Sequence, residues 1–179
     1  LCRNTYLVIN SETGEGGIGL LMEIFMIFLA ILIGYIIGSI PFGLLIAKKV
    51  KGIDIREFGS GNVGATNVTR ILGKKWGISV FLLDALKGFL AAKIGLWLVG
   101  PAGGLAGGVA AVSGHMPPIW LQFKGGKGIA TGFGFLMAVM PVTGLVGILT
   151  WGIVTYVTGY VSLGSICAVL VVLVFAFFY

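Results

Sequence analysis

The residue types best suited to chemistry crowd into one run, FGSGNVGATNVTR, from Phe58 to Arg70. Gly59, Gly61 and Gly64 permit backbone turns that a side chain would forbid. Ser60, Asn62, Thr66, Asn67 and Thr69 bring hydroxyls and amides, and Arg70 brings a planar cationic fork. Backbone N–H groups turned inward beside one guanidinium suit a phosphate. The run does not fit GxxxxGK[ST], so it is not the phosphate loop of a nucleotide hydrolase. The same composition fits a plain Gly/Ser/Asn surface loop, and the rest of the chain has to decide.

Other polar residues stand in apolar surroundings. Asp84 and Lys87, in LLDALKG, are three positions apart and share one helix face, where they can pair. Ionisable groups are costly at membrane depth, so they should face a polar interior; a pair that only fixes helix packing is the alternative. His115 is the only histidine, in the stretch SGHMPPIWLQFKGGKGIAT with Lys124, Gly125, Gly126 and Lys127. Asp54, Arg56 and Glu57 read as a solvated charge cluster. Of the two cysteines, Cys2 sits in a polar tail and Cys167 in an apolar run. That arrangement supports neither a disulfide framework nor a structural zinc.

The elements that must position these residues are membrane helices. Hydrophobic residues make up 58% of the 179 and the mean hydropathy is +1.08, more apolar surface than a soluble domain of this size needs. Ile24 to Ala47 is long enough for a first span, with a kink expected at Pro41 in GSIPFG, a motif that includes Ser39. Lys48, Lys49 and Lys51 follow and place that end in the cytoplasm. The second span is Gly77 to Val99, where Lys93 should snorkel outward unless the helix ends early. Pro101–Val112 and Ile129–Met140 are short for crossings. Flanking a Gly/Pro-rich polar centre, they suggest broken or re-entrant helices lining a site. Pro141–Thr158 returns inward, the polar island TGYVSLGSI holds Ser162 and Ser165, and Tyr160–Tyr179 is the last span. The resulting fold is an all-α polytopic bundle of six membrane segments with both termini outside. Apart from Arg3, every Lys and Arg of this +6 chain lies between Lys48 and Lys127, and all three polar clusters fall on the cytoplasmic side. Residues 1–21 read as a disordered tail or upstream translation, and 22–179 as the membrane domain.

Taken together, GSIPFG (38–43), GSGNVGATN (59–67) with Arg70, DALKG (84–88), GHMPPIW (114–120) with FKGGKGIAT (123–131), and YVSLGS (160–165) resemble the bacterial acyl-phosphate:glycerol-3-phosphate acyltransferases of the PlsY type. The resemblance implies a helical bundle in the bacterial inner membrane with a cytoplasm-facing site. It implies transfer of a fatty acyl chain from acyl phosphate to the 1-position of glycerol 3-phosphate, giving lysophosphatidic acid. The partners implied are those two substrates and the lipid bilayer, with no metal, no cofactor and no nucleic acid. The family continues into a seventh helix that this chain ends before, so a C-terminally truncated domain is expected.

By the same resemblance, Arg70, Lys127 and Ser165 take the glycerol 3-phosphate headgroup, with Lys124 and Ser162 nearby. Ser60, Gly61, Asn62, Thr66 and Asn67 are candidates for the acyl-phosphate phosphate and the oxyanion. Ser60, Asn67, His115 and Lys127 are the catalytic candidates. Ser39, Gly59, Gly64, Asp84, Lys87, Gly125 and Gly126 complete the substrate-binding set. His115 is one candidate base, since imidazole titrates near neutrality; a phosphate oxygen of the substrate is the other. An anion transporter or a noncatalytic membrane subunit remain the competing readings of broken helices with intramembrane charge.

Overall fold

The computed structural model describes residues 16–116, 118 and 125–178. Within them lie eight α-helices: α1 (Gly16–Gly38), α2 (Phe42–Lys51), α3 (Ala65–Leu72), α4 (Lys74–Val99), α5 (Pro101–His115), α6 (Ile129–Val139), α7 (Pro141–Thr158) and α8 (Val161–Phe178). A 3₁₀ turn at Ile55–Glu57 lies between α2 and α3. Pro101 and Pro141 each open a helix, where the missing N–H costs nothing and the fixed φ is already helical.

Three stretches of the described residues are long and apolar enough to cross a membrane: Gly17–Lys51, Pro141–Thr158 and Val161–Phe178. The 26 residues of α4 extend about 39 Å at the helical rise, ample for a bilayer, but its charged residues include Asp84, Lys87 and Lys93. The helices α5 and α6, of 15 and 11 residues, fall short of the ~30 Å hydrocarbon core. This matches the expected short pair around a polar centre, although α5 runs three residues past Val112.

Several boundaries differ from the sequence reading. The expected kink at Pro41 is a full break: α1 stops at Gly38 and α2 starts at Phe42. Pro41 has no N–H to continue the ladder, and its ring disfavours helix at the residue before it. Helix α1 starts at Gly16, inside the stretch read as a tail, while residues 1–15 lie outside the described residues. The helix carrying Lys93 does not end early; it runs to Val99 with Lys93 exposed, its Nζ 5.5 Å from the Phe89 ring centroid.

Glycine seams hold the bundle together. Helices α1, α4 and α5 pack against one another, and α4 also packs along α6; α7 contacts α6 and pairs with α8. A Cβ on Gly34 would run into the Gly107 carbonyl, and one on Gly38 into Ala111. Gly95 meets Gly103 across the α4–α5 seam, and Gly88 and Gly134 meet Thr131 and Ala85 across α4–α6. Lipid tails are as apolar as leucine, so close backbone approach rather than water exclusion drives such contacts. Large side chains such as Phe28, Leu82, Trp97, Leu149 and Leu173 accordingly point outward. The exception is a small core at the end of the bundle, where Leu44, Ala47, Ile55, Val63, Val68 and Val80 bury one another beneath the Gly-rich run.

Candidate active site

The break at Pro41 builds the first cluster. The Ser39 hydroxyl, buried, donates back to the Tyr35 carbonyl at 2.7 Å. The Ile40 carbonyl accepts from Lys87 Nζ at 2.9 Å. Lys87 also pairs with Asp84 Oδ1, one turn earlier on α4, at 2.7 Å, and meets His115 Nδ1 at 2.8 Å. Asp84, Lys87 and His115 are 2%, 3% and 7% exposed. Charges this deep require mutual pairing, since stripping one partner from a buried pair costs roughly 3–5 kcal/mol. Two helices, α4 and α5, and the break after α1 thus meet at one ammonium.

His115 in turn seats the Gly-rich segment before α6. Its carbonyl accepts from the Gly126 N–H at 3.0 Å. A Cβ on Gly125 would strike the carbonyls of His115 and Met116, and one on Gly126 would strike His115 Nε2. Lys127 follows directly and is exposed.

The second cluster is the Gly-rich run itself, organised by Asn67 at 2% exposure. Its Oδ1 accepts from the Ser60 N–H at 2.9 Å, and its Nδ2 donates to the carbonyls of Asn62, Phe58 and Ile55 at 2.9, 3.0 and 3.3 Å. Gly59 and Gly61 take φ of 62° and 70°, left-handed backbone that glycine adopts without strain. Asn62 Oδ1 accepts from the Gly64 N–H at 2.7 Å. Ser60, Thr66 and Arg70 are left exposed on the outer surface of this fold. Just before it, Arg56 grips Asp54 with two nitrogens, Nη2 at 2.6 Å and Nε at 2.9 Å. Hydrogen bonding to that guanidinium holds the Asp54 carboxyl down at about 2. Asp54 also accepts from the Arg56 N–H at 3.0 Å, so these residues form a cap on the 3₁₀ turn rather than a loose charge cluster.

Ser39, Asp84, Lys87, His115, Gly125 and Gly126 therefore come together, and Gly59, Ser60, Asn62, Gly64 and Asn67 form a second unit. The side chains of Asn67 and Lys87 spend their polar atoms inside these units, and Asp84 is ion-paired there. Ser162 and Ser165 stand on α8, where Ser165 Oγ donates to the Val161 carbonyl at 2.9 Å. Among the described residues no hydrogen bond or ion pair joins Arg70, Lys127, Ser162 or Ser165 to either unit. Lys124 lies outside the described residues. No group of three His, Cys, Asp or Glu among the described residues could hold a metal ion.

Two features escape the sequence reading. One is the Ile40 carbonyl as a ligand of Lys87; the proline that frees it is visible, its target is not. The other is that His115 joins Asp84 and Lys87. The available signal is that isolated polar residues in apolar helices must share a satisfied site.

A family model described as glycerol-3-phosphate acyltransferase matches residues 28–179. A relative of that name from Acholeplasma laidlawii is 47% identical over 157 residues, which is 82% of this chain and 67% of the relative. One from Aquifex aeolicus is 48% identical over 149 residues, or 82% and 77%. The crystal structure of PlsY, an integral membrane glycerol 3-phosphate acyltransferase, in its glycerol 3-phosphate form superposes with a TM-score of 0.79 at 47% identity, covering 84% of this chain and 76% of that one. Its lysophosphatidic acid form gives 0.77 at 46% identity, with the same coverage.

Proposed function

Because this chain belongs to the glycerol-3-phosphate acyltransferase family, and is a membrane enzyme of that activity, we propose that it uses acyl phosphate as the acyl source and works at the cytoplasmic face of the bacterial inner membrane. The observation that carries the reading is the likeness, over four-fifths of the chain, to PlsY in forms with glycerol 3-phosphate and with lysophosphatidic acid. The second compound is the first with one hydroxyl esterified by a fatty acid. Acyl phosphate supports such a transfer without further activation, because phosphate is a good leaving group from its mixed anhydride.

The 1-hydroxyl of glycerol 3-phosphate attacks the acyl carbonyl, the C–O bond to phosphate breaks, and the hydroxyl proton leaves with a phosphate oxygen. Little covalent chemistry falls to the protein. Positioning and electrostatics supply the acceleration. In this reading Arg70 and Lys127, exposed cations beside the two Gly-rich segments, hold the dianionic headgroup. Ser60 and Thr66 with the backbone of the first segment face the acyl phosphate, and Asn67 positions that segment from beneath. Lys124, Ser162 and Ser165 complete the headgroup side. The base is a substrate phosphate oxygen rather than His115, whose Nδ1 already meets Lys87 at 2.8 Å.

Purified protein in lipid vesicles, supplied with acyl phosphate and glycerol 3-phosphate, is expected to release inorganic phosphate and form lysophosphatidic acid in equal amounts. Acyl-CoA should not substitute. Efficient transfer from acyl-CoA would overturn the acyl source, and anion flux without chemistry would favour a transporter.

A further inference from the structure

An ammonium has three N–H bonds and no lone pair, so it donates and cannot accept. Lys87 Nζ meets three partners: Asp84 Oδ1 at 2.7 Å, the Ile40 carbonyl at 2.9 Å and His115 Nδ1 at 2.8 Å. Ion-paired with the Asp84 carboxylate, the ammonium donates to the Ile40 carbonyl and turns a second hydrogen toward Nδ1. Nδ1 is then the acceptor, and the neutral ring carries its proton on Nε2. Asp84 Oδ1 lies 3.5 Å from the same Nδ1. Without Lys87, that nitrogen would face a carboxylate, which draws a proton to it. The opposite nitrogen, Nε2, lies against Gly126, whose N–H the His115 carbonyl already holds at 3.0 Å.

We propose that the buried Asp84–Lys87 pair is a positioning device that fixes the tautomer of His115, holding Nδ1 as an acceptor so that Nε2 offers its proton, at the Gly125–Lys127 segment, to a phosphate oxygen of a substrate. Lys87, fixed by Asp84 on its own helix and by the Ile40 carbonyl in the break after α1, determines one ring nitrogen, and the ring's other nitrogen faces the segment that carries Lys127. His115 is a hydrogen-bond donor in this arrangement and takes no proton from the attacking hydroxyl. The kinetic part of the inference rests on the acyltransferase reading; the tautomer does not.

His115 is the only histidine in the chain, so nitrogen-15 NMR of histidine-labelled protein, purified without a polyhistidine tag, reads this ring alone. At mildly alkaline pH the expected spectrum has a protonated Nε2 and an unprotonated Nδ1. In Lys87→Met, Nδ1 should become protonated. A protonated Nδ1 in the unmodified protein overturns the proposal whether or not the variant folds, and so does an unchanged Nδ1 in folded Lys87→Met. Glycerol 3-phosphate and acyl phosphate are then added separately. The one that moves the Nε2 resonance supplies the phosphate oxygen, and movement by neither overturns the donor role. Turnover gives an independent check. His115→Gln puts an amide N–H near the place of Nε2, whereas His115→Asn reaches only to Nδ1. The glutamine variant should lose less than about tenfold in kcat/KM and the asparagine variant clearly more, whereas loss of a general base would cost both about 10²–10⁴-fold. Equal losses overturn the donor role. If the unmodified protein shows no transfer at all, the acyltransferase reading fails while the tautomer result stands.

Discussion

Asn67 makes four hydrogen bonds to backbone atoms of the run and of the 3₁₀ turn before it, and three of them use its NH₂ as donor. Asn67→Asp keeps the shape but cannot donate. It should therefore destabilise the protein nearly as much as Asn67→Ala, by about 2–4 kcal/mol, because buried carbonyls are left unpaired. Thermal unfolding in detergent checks this; an aspartate variant as stable as the parent would refute it. Arg70 and Lys127 differ in kind, being exposed and without an ion-pair partner among the described residues. A guanidinium holds two phosphate oxygens and an ammonium one, so Arg70→Lys should be worse than charge alone predicts. Arg70→Ala and Lys127→Ala should each lower kcat/KM for glycerol 3-phosphate by roughly 30-fold to several thousand-fold, the kinetic equivalent of about 2–5 kcal/mol. Size-exclusion profiles serve as the folding control, and near-normal kcat/KM in a folded variant removes that residue from the headgroup site.

Among the helices, the glycine seams set what can be changed. Gly88→Ala and Gly134→Ala would push a methyl into the backbone of the facing helix at two points where α4 and α6 touch. Backbone cannot move aside as a side chain can, so each should cost at least about 1–3 kcal/mol. Gly152→Ala, in α7 with nothing within 4 Å of its added methyl, should be neutral or slightly stabilising. Melting temperatures of the three variants in one detergent test the contrast; equal tolerance at all three positions would mean the seams are not tight. These crossings also mark where the sequence is readable. Pro141 and the Gly100–Pro101 turn announce helix ends because proline and glycine act locally. The break after Gly38 is harder to see, because apolar residues continue on both sides of it. The Asp84–Lys87 pair follows from spacing along one helix, whereas its meeting with His115 depends on how α4 and α5 cross. Asn67 looks like a ligand residue in sequence because an amide suits a loop backbone and a substrate equally well.

At the scale of the whole molecule, the apolar exterior and the grouping of basic residues make an orientation testable. Cysteines placed singly at Lys51, Lys74 and Lys127 in a cysteine-free background should be labelled only from the cytoplasmic side, and one at Gly100 only from outside. Outside labelling at position 74 would reverse the arrangement. Side chains such as Phe28, Leu82 and Trp97 commit the protein to the hydrocarbon, while Ser60 and Arg70 stand exposed on a Gly-rich loop. An enzyme held this way samples its two reactants in different dimensions: glycerol 3-phosphate arrives from a volume, the fatty acyl source from a sheet. If acyl phosphate is that source, as proposed, the enzyme's speed should follow the mole fraction of acyl phosphate among the lipids, not the amount per millilitre. Adding inert lipid to the vesicles should slow each enzyme molecule, whereas diluting the same vesicles in buffer at fixed glycerol 3-phosphate should not.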